Sequence, residues 1–185
     1  MFLEPHDILA ILLAAFFVGF FKATFGMAIA SLLVPVLVLF WPTRFVFGII
    51  AIQMWLSDYF AIRFFWKKWD ARLVKLMIPG FFFGIIIGAT LLVYMPEYWL
   101  RKGLGMVCLL FTGLQAWQEF GGEKQPPRIG LGMGVAIGLL GGTVSALFHS
   151  GGLILNLFFL SQGLTKVPLV ASIIGVWIFL NPVKL

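Results

Sequence analysis

Apolar runs separated by short polar segments dominate this 185-residue chain. Three runs, at residues 45–65, 73–94 and 99–117, are each long enough to form a helix that crosses a bilayer, which requires about 20 apolar residues. Two further stretches, residues 8–40 and 127–159, are too long for a single crossing, and each is interrupted near its middle by glycines. The pattern predicts an all-α, polytopic membrane protein in which these two stretches form hairpins of short helices.

The two interruptions align with each other. The first reads GFFKATFG at residues 19–26 and the second reads GLLGGTVS at residues 138–145, so that Thr24 matches Thr143. Lipid tolerates a broken helix only where the broken backbone is buried in protein or faces a water-filled cavity. Paired broken helices in two half-repeats point to the substrate site of a transporter. We therefore expect a membrane transporter with two breaks near the bilayer centre, at residues 21–26 and 141–152.

Basic residues in the loops predict the orientation of the spans. The segment after the first long span is rich in them, so the positive-inside rule places it in the cytoplasm. Its basic residues are Lys67, Lys68, Arg72 and Lys75. The amino terminus and Arg44 are then expected outside, and the polar linker at residues 121–128 inside. The first half, residues 1–120, starts outside and the second half, residues 129–185, starts inside, which predicts an inverted-topology repeat.

The two halves differ in length. In the first half, two further spans follow residues 45–65, whereas the second half ends close to its corresponding span, which opens at residue 167. About 50 residues, or two helices of typical span length, are therefore expected to be missing. The sequence predicts a C-terminally truncated protein.

Composition agrees with a membrane protein, since the chain is 62% hydrophobic and only 11% charged. Its length leaves room for one membrane domain and for no sizeable soluble domain. The net charge of +6 is explained by basic loops, so no nucleic-acid partner is expected. Cys108, the single cysteine, lies within an apolar run, which excludes a disulfide framework and a zinc-ligand set. No metal and no cofactor is predicted.

Several short motifs, taken in order, resemble one family of transporters. They are GFFKATFG at 19–26, DYFAIR at 58–63, WKKWDAR at 66–72, LMIPGFFFG at 76–84, the glycine-rich segment 138–152 and NPVK at 181–184. By these motifs the chain resembles the sulfite exporter TauE/SafE family, also called the toluene sulfonate uptake permease family. The resemblance covers essentially the whole chain.

The resemblance implies a permease for anionic sulfur compounds such as sulfite or organosulfonates. We expect a multi-pass exporter in the cell inner (plasma) membrane, whose partners are a small anionic substrate and the lipid bilayer. Energy would come from an ion gradient or from the substrate gradient, because the sequence contains no phosphate-binding loop. Two alternatives stay open: a small-anion channel that uses the same helix ends, and an inactive fragment of a permease.

The first break contains a basic residue, Lys22. Lys22 lies deep in an apolar stretch, where a charged side chain costs about 2.5–3.5 kcal/mol or more. Together with Thr24, Gly26 and the free N–H groups of the half-helix that starts near Phe25, it would form a positive site for an oxyanion. The alternative is that Lys22 reaches a membrane interface from a shallow hairpin.

The second break supplies hydroxyl groups, a histidine and glycine N–H groups that can bind an oxyanion. The candidates are Gly142, Thr143, Ser145, His149 and Ser150. His149 could carry a proton coupled to transport, or it could pack two helices through hydrogen bonds. Catalysis is not expected, because the adjacent His149 and Ser150 lack a nucleophile-elbow pattern and His149 lacks a metal-ligand partner.

Three further polar residues are predicted either to couple transport to an ion or to stabilise the structure. The repeat alignment places Asn181 opposite Asp58, and such a pair could bind a proton or a cation or hold the half-helices together. The alternative is that Asp58 pairs with a basic residue such as Arg63 or Lys22. The closing motif also brings Lys184 into this set.

Overall fold

The computed structural model describes residues 30–120 and 129–184, together with Leu12, Leu13, Phe16 and Phe20. Every regular element in these residues is helical, which confirms the all-α prediction. Seven α-helices follow in chain order: α1 Ala30–Val38, α2 Thr43–Phe65, α3 Ala71–Tyr94, α4 Glu97–Phe120, α5 Gly134–Phe148, α6 Gly151–Ser161 and α7 Lys166–Leu180. Two 3-10 turns accompany them, Leu131–Met133 before α5 and Asn181–Lys184 after α7.

Four helical segments are long and apolar enough to cross a membrane. They are Thr43–Phe65, Ala71–Tyr94, Leu131–Phe148 and Lys166–Lys184. The first two correspond to the predicted spans 45–65 and 73–94, and α4 covers the third predicted run. In contrast, α6 has 11 residues, or about 17 Å of helix, which is too short to cross a bilayer alone.

The amino terminus of α2 is capped by a side chain from another helix. Pro42 precedes α2 and makes no side-chain cap, but Glu97 Oε1 accepts a hydrogen bond from the Thr43 N–H at 2.7 Å and another from the Thr43 hydroxyl. Arg101 Nε lies 3.2 Å from the same oxygen. Partial burial raises the pKa of Glu97, but the Thr43 hydrogen bonds and Arg101 outweigh it and hold the pKa below its usual value.

We expect Glu97→Ala to lower the free energy of unfolding by about 0.5–2 kcal/mol, the usual effect of losing a helix cap. Glu97→Gln keeps an acceptor oxygen and should lose less. Because the folded pKa is lowered, the stabilisation is present above the pKa of an unfolded glutamate and is lost as the pH falls through the folded pKa. SDS titration of the purified protein measures both effects, and identical curves for Glu97→Ala and wild type would contradict the cap.

Among the described helices, α3 and α5 approach each other most closely, and their backbones touch through glycines. A Cβ atom added to Gly80 would lie 3.1 Å from Gly138 Cα, and one added to Gly84 would lie 3.0 Å from Gly142 Cα. Because both residue numbers rise together along the contact, α3 and α5 run in the same direction. Small residues allow this close approach, and backbone packing of this kind drives helix association in lipid.

The second apolar stretch forms a helical hairpin, as predicted. α5 ends at Phe148, His149 adopts a left-handed backbone with φ of 56°, and α6 begins at Gly151. α6 then runs back along α5, since the Gln162 amide donates a 2.8 Å hydrogen bond to the carbonyl of Ile129, ahead of α5. The corresponding first hairpin, with its predicted break at residues 21–26, lies outside the described residues.

The position of the break differs from the expectation drawn from GLLGGTVS. The helix runs unbroken through residues 138–145, and the chain turns at His149 and Ser150, at the far end of the expected interval 141–152. The glycines at 138 and 142 do not weaken α5, because their contacts with α3 hold the helix together. The turn also lies beside the last turns of α3 rather than beside its middle.

Candidate functional site

A cavity of about 140 Å³ lies where the turn of the hairpin meets α2, α3 and the carboxyl-terminal 3-10 turn. Apolar and small residues form most of its wall, and three basic side chains complete it. The lining residues are Arg44, Phe47, Gly48, Ala51, Ala89, Leu92, Ala146, His149 and Lys184. A cavity of similar size in a protein core holds a benzene molecule, so this one has room for a small anion.

Lys184 reaches the cavity from the carboxyl-terminal 3-10 turn. Its ammonium donates a 2.6 Å hydrogen bond to the Ser145 hydroxyl on α5. The same ammonium lies 4.4 Å from the centroid of the Trp177 ring on α7, within the range of a cation–π contact. Ser145 and Lys184, both predicted as site residues, are therefore in direct contact, and the charge of Lys184 is held at the wall of the cavity.

His149 occupies the turn itself. Its left-handed backbone ends α5, a conformation that histidine adopts more readily than most residues. The ring lies 5.1 Å from the ring of Phe47 on α2, and only 8% of the residue is exposed. Within the described part of the chain, neither ring nitrogen has a hydrogen-bond partner. The structure thus places a buried imidazole with unused polar atoms at the cavity.

Arg44 lies at the exposed edge of the cavity and also closes the end of α3. Its guanidinium donates hydrogen bonds to the carbonyls of Leu92 at 3.2 Å, Val93 at 3.0 Å and Met95 at 2.8 Å. Carbonyls at a helix carboxyl terminus carry partial negative charge, so this pairing is favourable. From the sequence, Arg44 was considered only as a basic residue of a loop. The feature that could have identified it as a site residue is its position in the first turn of an apolar span.

Asp58 and Asn181 form the pair that the repeat alignment predicted. Asp58 is fully buried on α2, and the Asn181 amide donates a 2.6 Å hydrogen bond to its Oδ2 atom. Asn181 opens the 3-10 turn that ends in Lys184. The pair thus fixes the base of the turn that carries the cavity lysine. Arg63, the partner considered from sequence, has its guanidinium carbon 5.9 Å from the Tyr59 ring centroid.

The family comparison matches residues 11–185 to the family described as Sulfite exporter TauE/SafE. The chain belongs to this family. No curated protein and no solved structure matches it significantly. Members of the sulfite exporter family are membrane transporters, in agreement with the apolar spans.

In this TauE/SafE chain the predicted site residues separate into three groups. Ser145, His149 and Lys184 meet at the cavity or in contact with its wall. The others that the structure describes are used in packing or in hydrogen bonds within and between helices, and none of them lines the cavity. Lys22, Thr24 and Gly26 lie outside the described residues.

The second group shows why a hydroxyl or glycine beside a break is not always a ligand. Gly142 packs on the backbone of Phe81 and Gly84. The Thr143 hydroxyl donates to the carbonyl of Leu139 at 2.9 Å and to that of Gly84 at 3.2 Å. Ser150 donates to the Phe148 carbonyl at 3.0 Å. Among the residues that the structure describes, no group of three or more potential metal ligands occurs.

Proposed function

We propose that this protein is an inner-membrane exporter of sulfur oxyanions, such as sulfite or small organosulfonates, and that the anion binds in the cavity beside Lys184. The observation that carries the proposal is a cavity of about 140 Å³ lined by Arg44, His149 and Lys184. Membership of the sulfite exporter family supports the substrate class.

The charges of the cavity favour an anion. Two basic side chains, Arg44 and Lys184, line one small space, and low-dielectric walls strengthen the field inside such a cleft. Lysine presents a compact charge with three donors that suits an oxyanion approaching from several directions, and arginine presents a planar fork. Phe47, Ala51 and Leu92 form an apolar wall that accepts a short organic substituent.

The hairpin of α5 and α6 supports a role in transport, because α6 is too short to cross the membrane alone. The loop charges place Arg44 on the outer side, so the cavity described here would open outward. The hairpin of α5 and α6 carries Ser145 and His149 to the cavity wall from the opposite side. Alternating access would then expose the same basic groups to each side in turn.

Purified protein in lipid vesicles tests the function. Vesicles loaded with sulfite should release it faster than protein-free vesicles, with a rate that saturates as internal sulfite rises. External sulfite should accelerate the exit of labelled internal sulfite, because a transporter exchanges its substrate. A rate that neither saturates nor responds to external sulfite would indicate a channel, and the absence of sulfite or sulfonate flux would contradict the proposal.

A further inference from the structure

In the part of the chain that the structure describes, the two ring nitrogens of His149 have no hydrogen-bonding role. The residue is more than nine-tenths buried, and no described residue forms a hydrogen bond with Nδ1 or Nε2. Buried polar groups in native proteins normally have partners, and an exception calls for an explanation such as a bound water, a bound ion or a functional role. The ring lines the cavity and rests against Phe47, so a bound molecule there is within reach of the ring.

The described charged side chains that line the cavity with His149 are two cations, and Asp58 on α2 and Glu97 on α4 are hydrogen-bonded to other residues. Arg44 from α2 and Lys184 from the carboxyl-terminal turn line the same cavity. Asp58 accepts from Asn181, and Glu97 accepts from Thr43. α5 and α6 carry no other ionisable side chain, and α3 contributes only Ala89 and Leu92 to the cavity. A proton on the imidazole of the empty cavity would therefore face two like charges, which disfavour it.

We propose that His149 takes up one proton when an anion binds in this cavity, so that the anion is carried together with a proton. The inference rests on the proposed function. The anion supplies the negative charge that an imidazolium needs beside Arg44 and Lys184. The proton comes from the bulk solution, where the buffer acid releases it, onto a ring nitrogen; both nitrogens then donate hydrogen bonds and one of them can bind an anion oxygen. For a monoanion, anion and proton together leave the charge of the cavity unchanged.

Methanesulfonate is the suitable probe because it binds no proton itself in the neutral pH range. Its binding to the purified protein is measured by calorimetry in two buffers that differ in ionisation enthalpy, which gives the number of protons taken up per anion. We expect uptake approaching one proton at the alkaline end of the range. There the affinity should fall by about tenfold per pH unit, the dependence of a one-proton linkage.

His149→Asn separates the titration from the fold. Asparagine tolerates the left-handed backbone and forms hydrogen bonds, but it binds no proton in this range. The variant should bind methanesulfonate without proton uptake and with an affinity that does not change with pH. His6→Asn makes the same chemical change at the other histidine of the chain and should keep the wild-type number of protons taken up per anion.

The possible outcomes separate a failure of this inference from a failure of the proposed function. Methanesulfonate binding without proton uptake in wild type overturns the inference and leaves the anion site intact. Uptake that persists in His149→Asn, or that is lost in His6→Asn, also overturns it. Binding of sulfite but not of methanesulfonate would mean that the substrate must bring its own proton, which is again contrary to the inference. If neither anion binds, the proposed function fails as well.

Discussion

The Gly84→Val variant should lose about 3 kcal/mol or more of unfolding free energy and yield little monodisperse protein. A Cβ atom at position 84 would lie 2.9 Å from the Thr143 nitrogen and 3.0 Å from Gly142 Cα, and closer still to the Leu139 carbonyl oxygen. These atoms belong to the backbone of α5 and cannot turn aside as a flexible side chain can. The two helices would have to separate, and both the hairpin and the cavity depend on their contact.

Gly105→Val is the matched control for this prediction. It makes the same change inside α4, where no described atom beyond the local backbone of α4 lies within 4 Å of an added Cβ. The intrinsic effect of valine on helix stability should be small and similar at positions 84 and 105. SDS titration and size-exclusion profiles compare the two variants with wild type. Equal losses in both variants would show that valine acts on the helix itself and that the backbone contact at Gly84 contributes nothing.

Lys184→Met should reduce sulfite flux in vesicles by about 10- to 100-fold, the loss expected when a charged hydrogen-bond donor is removed from a bound anion. Methionine keeps a similar length and apolar character, so the contact with Trp177 remains possible. Lys184→Arg keeps the charge and should retain part of the flux. Arginine cannot reproduce the compact ammonium at Ser145, which is why recovery should be incomplete.

Lys166→Met controls for the loss of one positive charge. Lys166 begins α7 and is exposed, whereas Lys184 lies beyond the other end of that helix and at the cavity. We expect near wild-type flux for Lys166→Met. Thermal unfolding of all variants reports whether the loss of the Ser145 contact destabilises the protein. Unchanged flux in a well-folded Lys184→Met would remove Lys184 from the binding site.

Run length and hydropathy were enough to predict the spans Thr43–Phe65 and Ala71–Tyr94, because a bilayer imposes a minimum length on any apolar helix. The third predicted run forms the helix α4, which is not among the four candidate spans of the described residues. The repeat alignment also predicted the contact of Asp58 with Asn181, which lie 123 residues apart in sequence. A buried carboxylate in lipid needs a polar partner, so its options are few.

The position of the break and the residues that line the cavity could not be predicted in the same way. A glycine weakens an isolated helix, yet the same glycine stabilises a helix whose neighbour touches its backbone. Gly138 and Gly142 stabilise α5 in this way because the backbone of α3 contacts them. The sequence of α5 alone does not reveal this contact. Counting loop charges likewise predicted a side of the membrane for Arg44 without showing that it reaches the cavity.

The most direct test of the anion site is a structure of the protein with bound selenite, a heavier analogue of sulfite. Selenium scatters anomalously, so its position can be located independently of the protein density. The account predicts one strong selenium peak inside the cavity, within hydrogen-bond reach of Lys184 Nζ and of a ring nitrogen of His149. A peak elsewhere in the membrane region, with the cavity empty at a selenite concentration that saturates binding, would contradict it.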